Sequence, residues 1–123
     1  MTEKLVRAYR GAITVDRDEE TLVVEATQAL LTEMLSRNTF DLDDVISVFF
    51  TTTPDVTSAF PALAARGIGF ADIPLMCASE IAVPHALPRT IRVLLHAYSS
   101  QSRHDVNHVY LREATVLRGD LHD

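Results

Sequence analysis

Two rhythms of hydrophobic and polar positions run along this chain. From Leu5 to Val15 the alternation has period two, with Val6, Ala8, Arg10 and Ala12 on one face and Tyr9, Ile13 and Val15 on the other. That pattern predicts a strand. Asp16-Arg17-Asp18 breaks it. Asp18 is placed to cap a helix, with Glu19 and Glu20 at the positive end of its dipole. Leu22, Val23, Ala26, Leu30 and Met34 then recur at helical spacing, and Ala29 and Leu31 widen the stripe. The spacing predicts an amphipathic helix from Glu19 to about Arg37, closed by Asn38.

Beyond the helix, Asp41 to Asp44 reads as a short cap or turn. Val45 to Thr53 is rich in β-branched and aromatic residues and apolar on both faces, which predicts a central strand ended by Pro54 and Asp55. Ser58 to Arg66 reads as a short helical piece interrupted by Pro61, Phe70 to Leu75 as a brief strand, and the stretch around Pro84 and Pro88 as a loop. Thr90 to Tyr98 and Val106 to Leu111 are two further strands, with a short segment of undecided type from Glu113 to Leu117. This order gives one α+β (α/β-like) domain over residues 1–123, a mixed sheet with one long helix and short helical pieces on one face. A single full-length helix covers only one side of such a sheet, so the other is expected to pack against neighbouring subunits.

Composition narrows the possibilities. The 123 residues suffice for one core, and 47% hydrophobic with 23% charged residues describes a globular chain. The apolar runs fall far short of a membrane span, and Met1-Thr2-Glu3-Lys4 leads into strand sequence rather than a signal peptide. One cysteine, Cys77, cannot form an internal disulfide, which suits a reducing cytoplasm. A net charge of −6 argues against nucleic acid or an anionic membrane as partner. A small anion held by a local group of arginines remains open.

Two arginines stand out. Arg10 lies between the small same-face neighbours Ala8 and Ala12, and Arg92 interrupts an otherwise apolar run between Ile91 and Val93. A guanidinium in such surroundings needs a partner. A salt bridge to one of the 17 acidic residues meets that need for either arginine alone; two in separate strands point toward a bound carboxylate, which the guanidinium fork grips bidentately. Arg66 and Arg118 read alone as solvated charges, Tyr110 as a core or interface aromatic, Glu80 as a loop carboxylate, and Cys77 as a small buried filler. His104 and His108 have the spacing of a helical metal pair, but they fall in strand-like sequence and lack the glutamate of a metalloprotease motif, so no metal is assigned. There is no Gly-rich phosphate loop, CxxC or GxSxG, and therefore no motif for a cofactor or a covalent triad.

Taken in order, Arg7 to Val15, Thr53-Pro54-Asp55, Ala59 to Ala62, Pro74 to Glu80, Ile91-Arg92-Val93, His108 to Leu111 and Val116-Leu117-Arg118 resemble the AroH class of monofunctional chorismate mutases over nearly the whole chain. The resemblance implies a homotrimer with a barrel-like sheet core, helices outside and active sites between subunits. It implies a cofactor-free isomerase of aromatic amino acid biosynthesis, converting chorismate to prephenate. Carried across by motif, Arg10 would bind a substrate carboxylate and the bridging region, and Arg92 would reach the ether oxygen. Glu80 would accept the substrate hydroxyl with Cys77 beside it, and Tyr110 would contact a carboxylate. Phe60 and Arg66 would line the cleft from a neighbouring subunit, and Leu117 and Arg118 would cover its mouth. Three departures fall at the rim: Leu63 where the family often has lysine, one residue fewer between Arg66 and Pro74, and Gly119 in place of a common proline. A RidA-like trimeric deaminase, a non-catalytic binder of an aromatic-pathway metabolite and a metal hydrolase built on His104 and His108 are the competing readings.

Overall fold

A computed structural model describes the backbone of residues 3–120 and the side chains of residues 3–118. Five strands form one mixed sheet: β1 (Leu5–Thr14), β2 (Val45–Thr52), β3 (Leu75–Ser79), β4 (Thr90–Ser99) and β5 (Val109–Leu111). Their spatial order is β3-β2-β4-β1-β5, with β4 antiparallel to both β1 and β2 and the outer pairs β1–β5 and β2–β3 parallel. Helices α1 (Glu20–Ser36) and α2 (Pro61–Gly67) join them, with short 3₁₀ turns at Leu42–Asp44, Arg103–Asp105 and Arg112–Asp120.

Helix α1 lays Val23, Ala26, Leu30, Leu31 and Met34 against the inward residues Tyr9 and Ile13 of β1, Phe50 of β2 and Leu95 of β4, all fully or nearly fully buried. Gly11 permits this approach. A Cβ there would come within 2.6 Å of the Met34 sulfur and 3.1 Å of Leu30 Cδ1, closer than a packed core tolerates. The opposite sheet face carries Val6, Phe49, Met76, Leu94 and Tyr98, all exposed. That one-sided cover is the arrangement the single long helix predicts.

Several boundaries differ from the sequence reading. Asp18 does not cap α1: Glu19 occupies the N-cap without a side-chain bond. The Asp18 carboxylate instead accepts the Thr57 N–H and hydroxyl and the Ser58 N–H at 2.8–3.0 Å, tying the helix entry to the loop after β2. Pro61 begins α2 rather than interrupting it, because the first helical position needs no N–H donor. Phe70 to Pro74 is turn: Gly69 takes a left-handed φ of 108°, Phe70 N–H bonds back to the Ala65 carbonyl, and the strand starts only at Leu75. The last strand is shortened to Val109–Leu111, and the undecided C-terminal segment is 3₁₀. Asn38 does satisfy the helix end, donating to the Met34 carbonyl at 3.0 Å, although Arg37 holds the C-cap.

Candidate active site

Register brings the chemistry together. Ala12 of β1 pairs with both Arg92 of β4 and Tyr110 of β5, and Arg92 pairs in turn with Thr51 of β2. Cross-strand partners share a face, so Tyr110, Ala12, Arg92 and Thr51 form one row across the open side of the sheet. The next row holds Arg10, Leu94 and Phe49. Between these rows lies an open cleft of about 390 Å³, lined by Arg10, Arg92, Tyr110 and Thr51 with Phe49 and Leu94 as apolar floor and Leu117 at its edge. Among the described residues its lining includes no acidic side chain.

The sequence reading placed Arg92 among inward residues, and that premise is corrected. β4 alternates strictly, sending Ile91, Val93, Leu95 and Ala97 into the core and Arg92, Leu94, His96 and Tyr98 outward. Arg92 is 45% exposed, as a side chain on an uncovered face must be, and Arg10 is exposed for the same reason. Neither guanidinium is a buried charge in the single chain. Arg92 has the protein partner that the salt-bridge reading anticipated: its Nε lies 3.2 Å from Glu80 Oε2. Among the described residues no hydrogen bond involves its two terminal nitrogens, and no ion pair involves Arg10.

Glu80 follows directly on β3. Its N–H donates to the Thr52 carbonyl at 2.8 Å, which extends the β2–β3 pairing by one residue and fixes the side chain beside β2. Thr51 donates its hydroxyl to Glu80 Oε2 at 2.6 Å, so one carboxylate oxygen is held from both β2 and β4. Thr51 and Phe49 escaped the sequence reading. Only the register Thr51↔Arg92 identifies them, and register is not legible in a strand whose residues are apolar on both faces.

The other expected residues lie apart. Phe60 and Cys77 line a second cleft of about 410 Å³, beside Leu63 and the tip of α2. Cys77 is half-buried there and lines no part of the arginine cleft. Arg66 ends α2 and Arg118 lies in the last 3₁₀ turn; both are exposed and line neither cleft. Leu117 is held at the arginine cleft by its own turn, where Arg112 donates to Glu25 at 3.1 Å and Glu113 N–H to the Thr14 hydroxyl at 3.2 Å. His104 and His108 are not helical neighbours, since 3₁₀ turn Arg103–Asp105 ends between them. Among the described residues no group of three or more metal-ligating side chains converges. No described helix is long and apolar enough to cross a membrane.

A mixed five-stranded sheet with helices on one face and an arginine-lined cleft on the other defines a small α+β domain whose open side presents positive charge. Residues 6–121 match the family described as chorismate mutase type I. The chain is 48% identical over 118 residues to chorismate mutase AroH of Thermus thermophilus, covering 95% of this chain and 97% of that one. It is 35% identical over 118 residues to chorismate mutase AroH of Bacillus subtilis, covering 95% and 93%. Its fold superposes on a chorismate mutase from Clostridium thermocellum with a TM-score of 0.87 at 45% identity, covering 89% of this chain and 97% of that one. The chain belongs to the type I chorismate mutase family.

Proposed function

We infer that this chorismate mutase converts chorismate to prephenate in the cleft between Arg10, Arg92 and Tyr110. The observation that carries the reading is two guanidiniums and a tyrosine converging on one cleft, in which Arg92 alone of the two has an ion pair among the described residues. The reaction is a Claisen rearrangement: one ether C–O bond breaks as one C–C bond forms, and no proton or external electron pair moves. The protein has two physical tasks. It must fold the flexible enolpyruvyl arm over the ring, and it must stabilise the negative charge that grows on the ether oxygen.

Arg10 and Tyr110 stand on neighbouring strands and would grip the substrate carboxylates, fixing the reactive conformer. Arg92 would serve the ether oxygen. Its Nε is ion-paired with Glu80, and its terminal N–H groups, unbonded among the described residues, would face the cleft. A fixed cation there binds the transition state better than the ground state, because the charge it meets is only fully present as the bond stretches. Glu80, held between Thr51 and Arg92, would accept the ring hydroxyl.

The working unit in this reading is a homotrimer. The open face exposes the large apolar side chains Val6, Phe49, Met76, Leu94 and Tyr98 together, the kind of patch that a partner subunit covers. Each protomer also divides Arg10, Arg92, Tyr110 and Leu117 on one side and Phe60 and Cys77 on the other between two separate clefts. Seating the Phe60 cleft of one subunit over the arginine cleft of the next would complete the site and enclose the substrate, with Leu117 and Arg118 at the mouth. The free thiol of Cys77 fits a reducing cytoplasm as the compartment.

The test is ultraviolet absorbance of chorismate on addition of the purified chain. The reading predicts stoichiometric conversion to prephenate without added metal or cofactor. Loss of chorismate to another product, or a change in melting temperature without turnover, would overturn it.

A further inference from the structure

Arg10 is held at its backbone by an imidazole. The parallel ladder between β1 and β5 begins at Gly11↔Val109, one residue beyond Arg10. Arg10 N–H therefore has no backbone carbonyl on β5, and it donates instead to Nδ1 of His108 at 3.0 Å. The half-buried ring substitutes for a ladder bond at the residue whose guanidinium reaches the cleft.

His108 is itself fixed in place. The preceding residue, Asn107, is clamped to the end of α1 by three bonds. Its N–H donates to Asn38 Oδ1 at 2.8 Å, its carbonyl accepts Asn38 Nδ2 at 2.9 Å, and its own amide donates to the Arg37 carbonyl at 2.8 Å. Asn38 is braced in turn by Gln101 Nε2 at 3.2 Å and by its bond to the Met34 carbonyl. This clamp explains why the last strand starts at Val109 rather than Val106: the chain before it is bonded to the helix, not to β1.

We propose that His108 is a positioning residue for the mutase reaction, fixing the Arg10 backbone through Nδ1 while the Asn38–Asn107 clamp sets the ring. The proposal rests on Arg10 serving the substrate. An unsatisfied N–H at Arg10 would loosen the Cα from which the guanidinium hangs, and a small displacement of a positioning cation costs turnover out of proportion to stability. The role requires an acceptor at the Nδ1 position and uses no charge on the ring.

Asparagine places Oδ1 the same number of bonds from Cα as histidine places Nδ1, glutamine places its oxygen one bond further, and leucine has no acceptor. His108→Leu is expected to raise KM for chorismate and lower kcat/KM about tenfold, the scale of one lost hydrogen bond. His108→Asn is expected to restore kcat/KM to within about threefold, with His108→Gln near the leucine variant. Hydrogen exchange of the Arg10 amide reads the bond without reference to activity: protected in the wild type and His108→Asn, fast in His108→Gln. Asparagine as poor as glutamine, or an Arg10 amide equally protected in all variants, would overturn the proposal. Should leucine prevent folding, the asparagine–glutamine comparison decides. An Arg10 amide that behaves as expected in a wild type that leaves chorismate intact would sink the functional reading and leave the bond standing.

Discussion

Replacing Arg92 by alanine will separate activity from stability, and the structure sets the size of each effect. The Arg92–Glu80 pair joins a side chain 45% exposed to one 19% exposed. Pairs this open contribute about 0.2–1 kcal/mol to folding. Glu80 would also keep the Thr51 hydroxyl at 2.6 Å, so no carboxylate is left bare. The melting temperature is then expected to move by no more than about 4 °C. Transition-state stabilisation is a different matter. Removing one preorganised donor from a developing oxyanion costs about 2.7–4 kcal/mol, or about 10²–10³ in kcat. Arg92→Lys will also be poor. A lysine presents one ammonium, which cannot bond Glu80 from one nitrogen and the ether oxygen from another. The assay is chorismate consumption at saturating substrate beside a thermal melt of the same preparation. Near-normal kcat in Arg92→Ala, or a loss of stability large enough to account for the lost activity, would refute the reasoning.

Three further outcomes follow from other parts of the molecule. Three hydrogen bonds from Thr57 and Ser58 converge on Asp18, and the Ser58 hydroxyl lies beside it without completing a fourth. With that hydroxyl and those donors around it, the Asp18 carboxyl is held at about 2, below its ordinary 3.8. A depressed carboxyl contributes stability above its unfolded value and loses it as pH falls toward the folded one. The stability gap between wild type and Asp18→Asn should therefore be constant above pH 3.8 and close between there and pH 2, by urea titration at each pH. Gly11→Ala will cost about 1–3 kcal/mol by forcing Met34 and Leu30 away from β1, seen as a lower urea midpoint at unchanged m. Leu94→Asp, in the middle of the uncovered face, will yield monomers in sedimentation and abolish turnover; an intact assembly with full activity would place the interface elsewhere.

The sheet, the long helix and its apolar stripe were legible because β4 and α1 keep clean periods of 2 and 3.6 over ten or more residues. Legibility failed where partners distant in sequence decide local structure. Asp18 looks like a helix cap until Thr57 and Ser58 claim its oxygens. Val106 to His108 looks like strand until Asn38 bonds Asn107. Strand neighbours singled out Arg10 and Arg92, though on the premise of burial: both face outward, and for Arg92 alternation accounts for its place between Ile91 and Val93. Thr51 was invisible because its role comes from standing opposite Arg92 and beneath Glu80. Phe60 and Cys77 lie in a cleft of their own, which chain order does not convey.

A crystal structure with a bicyclic dicarboxylate mimic of the rearranging substrate would probe the core of the account most directly. The mimic is expected between two protomers, its carboxylates on Arg10 and Tyr110 and its ether oxygen about 3 Å from a terminal nitrogen of Arg92, with Glu80 still on Nε. An ether oxygen facing solvent or an apolar wall, with Arg92 bonded only to Glu80, would contradict it.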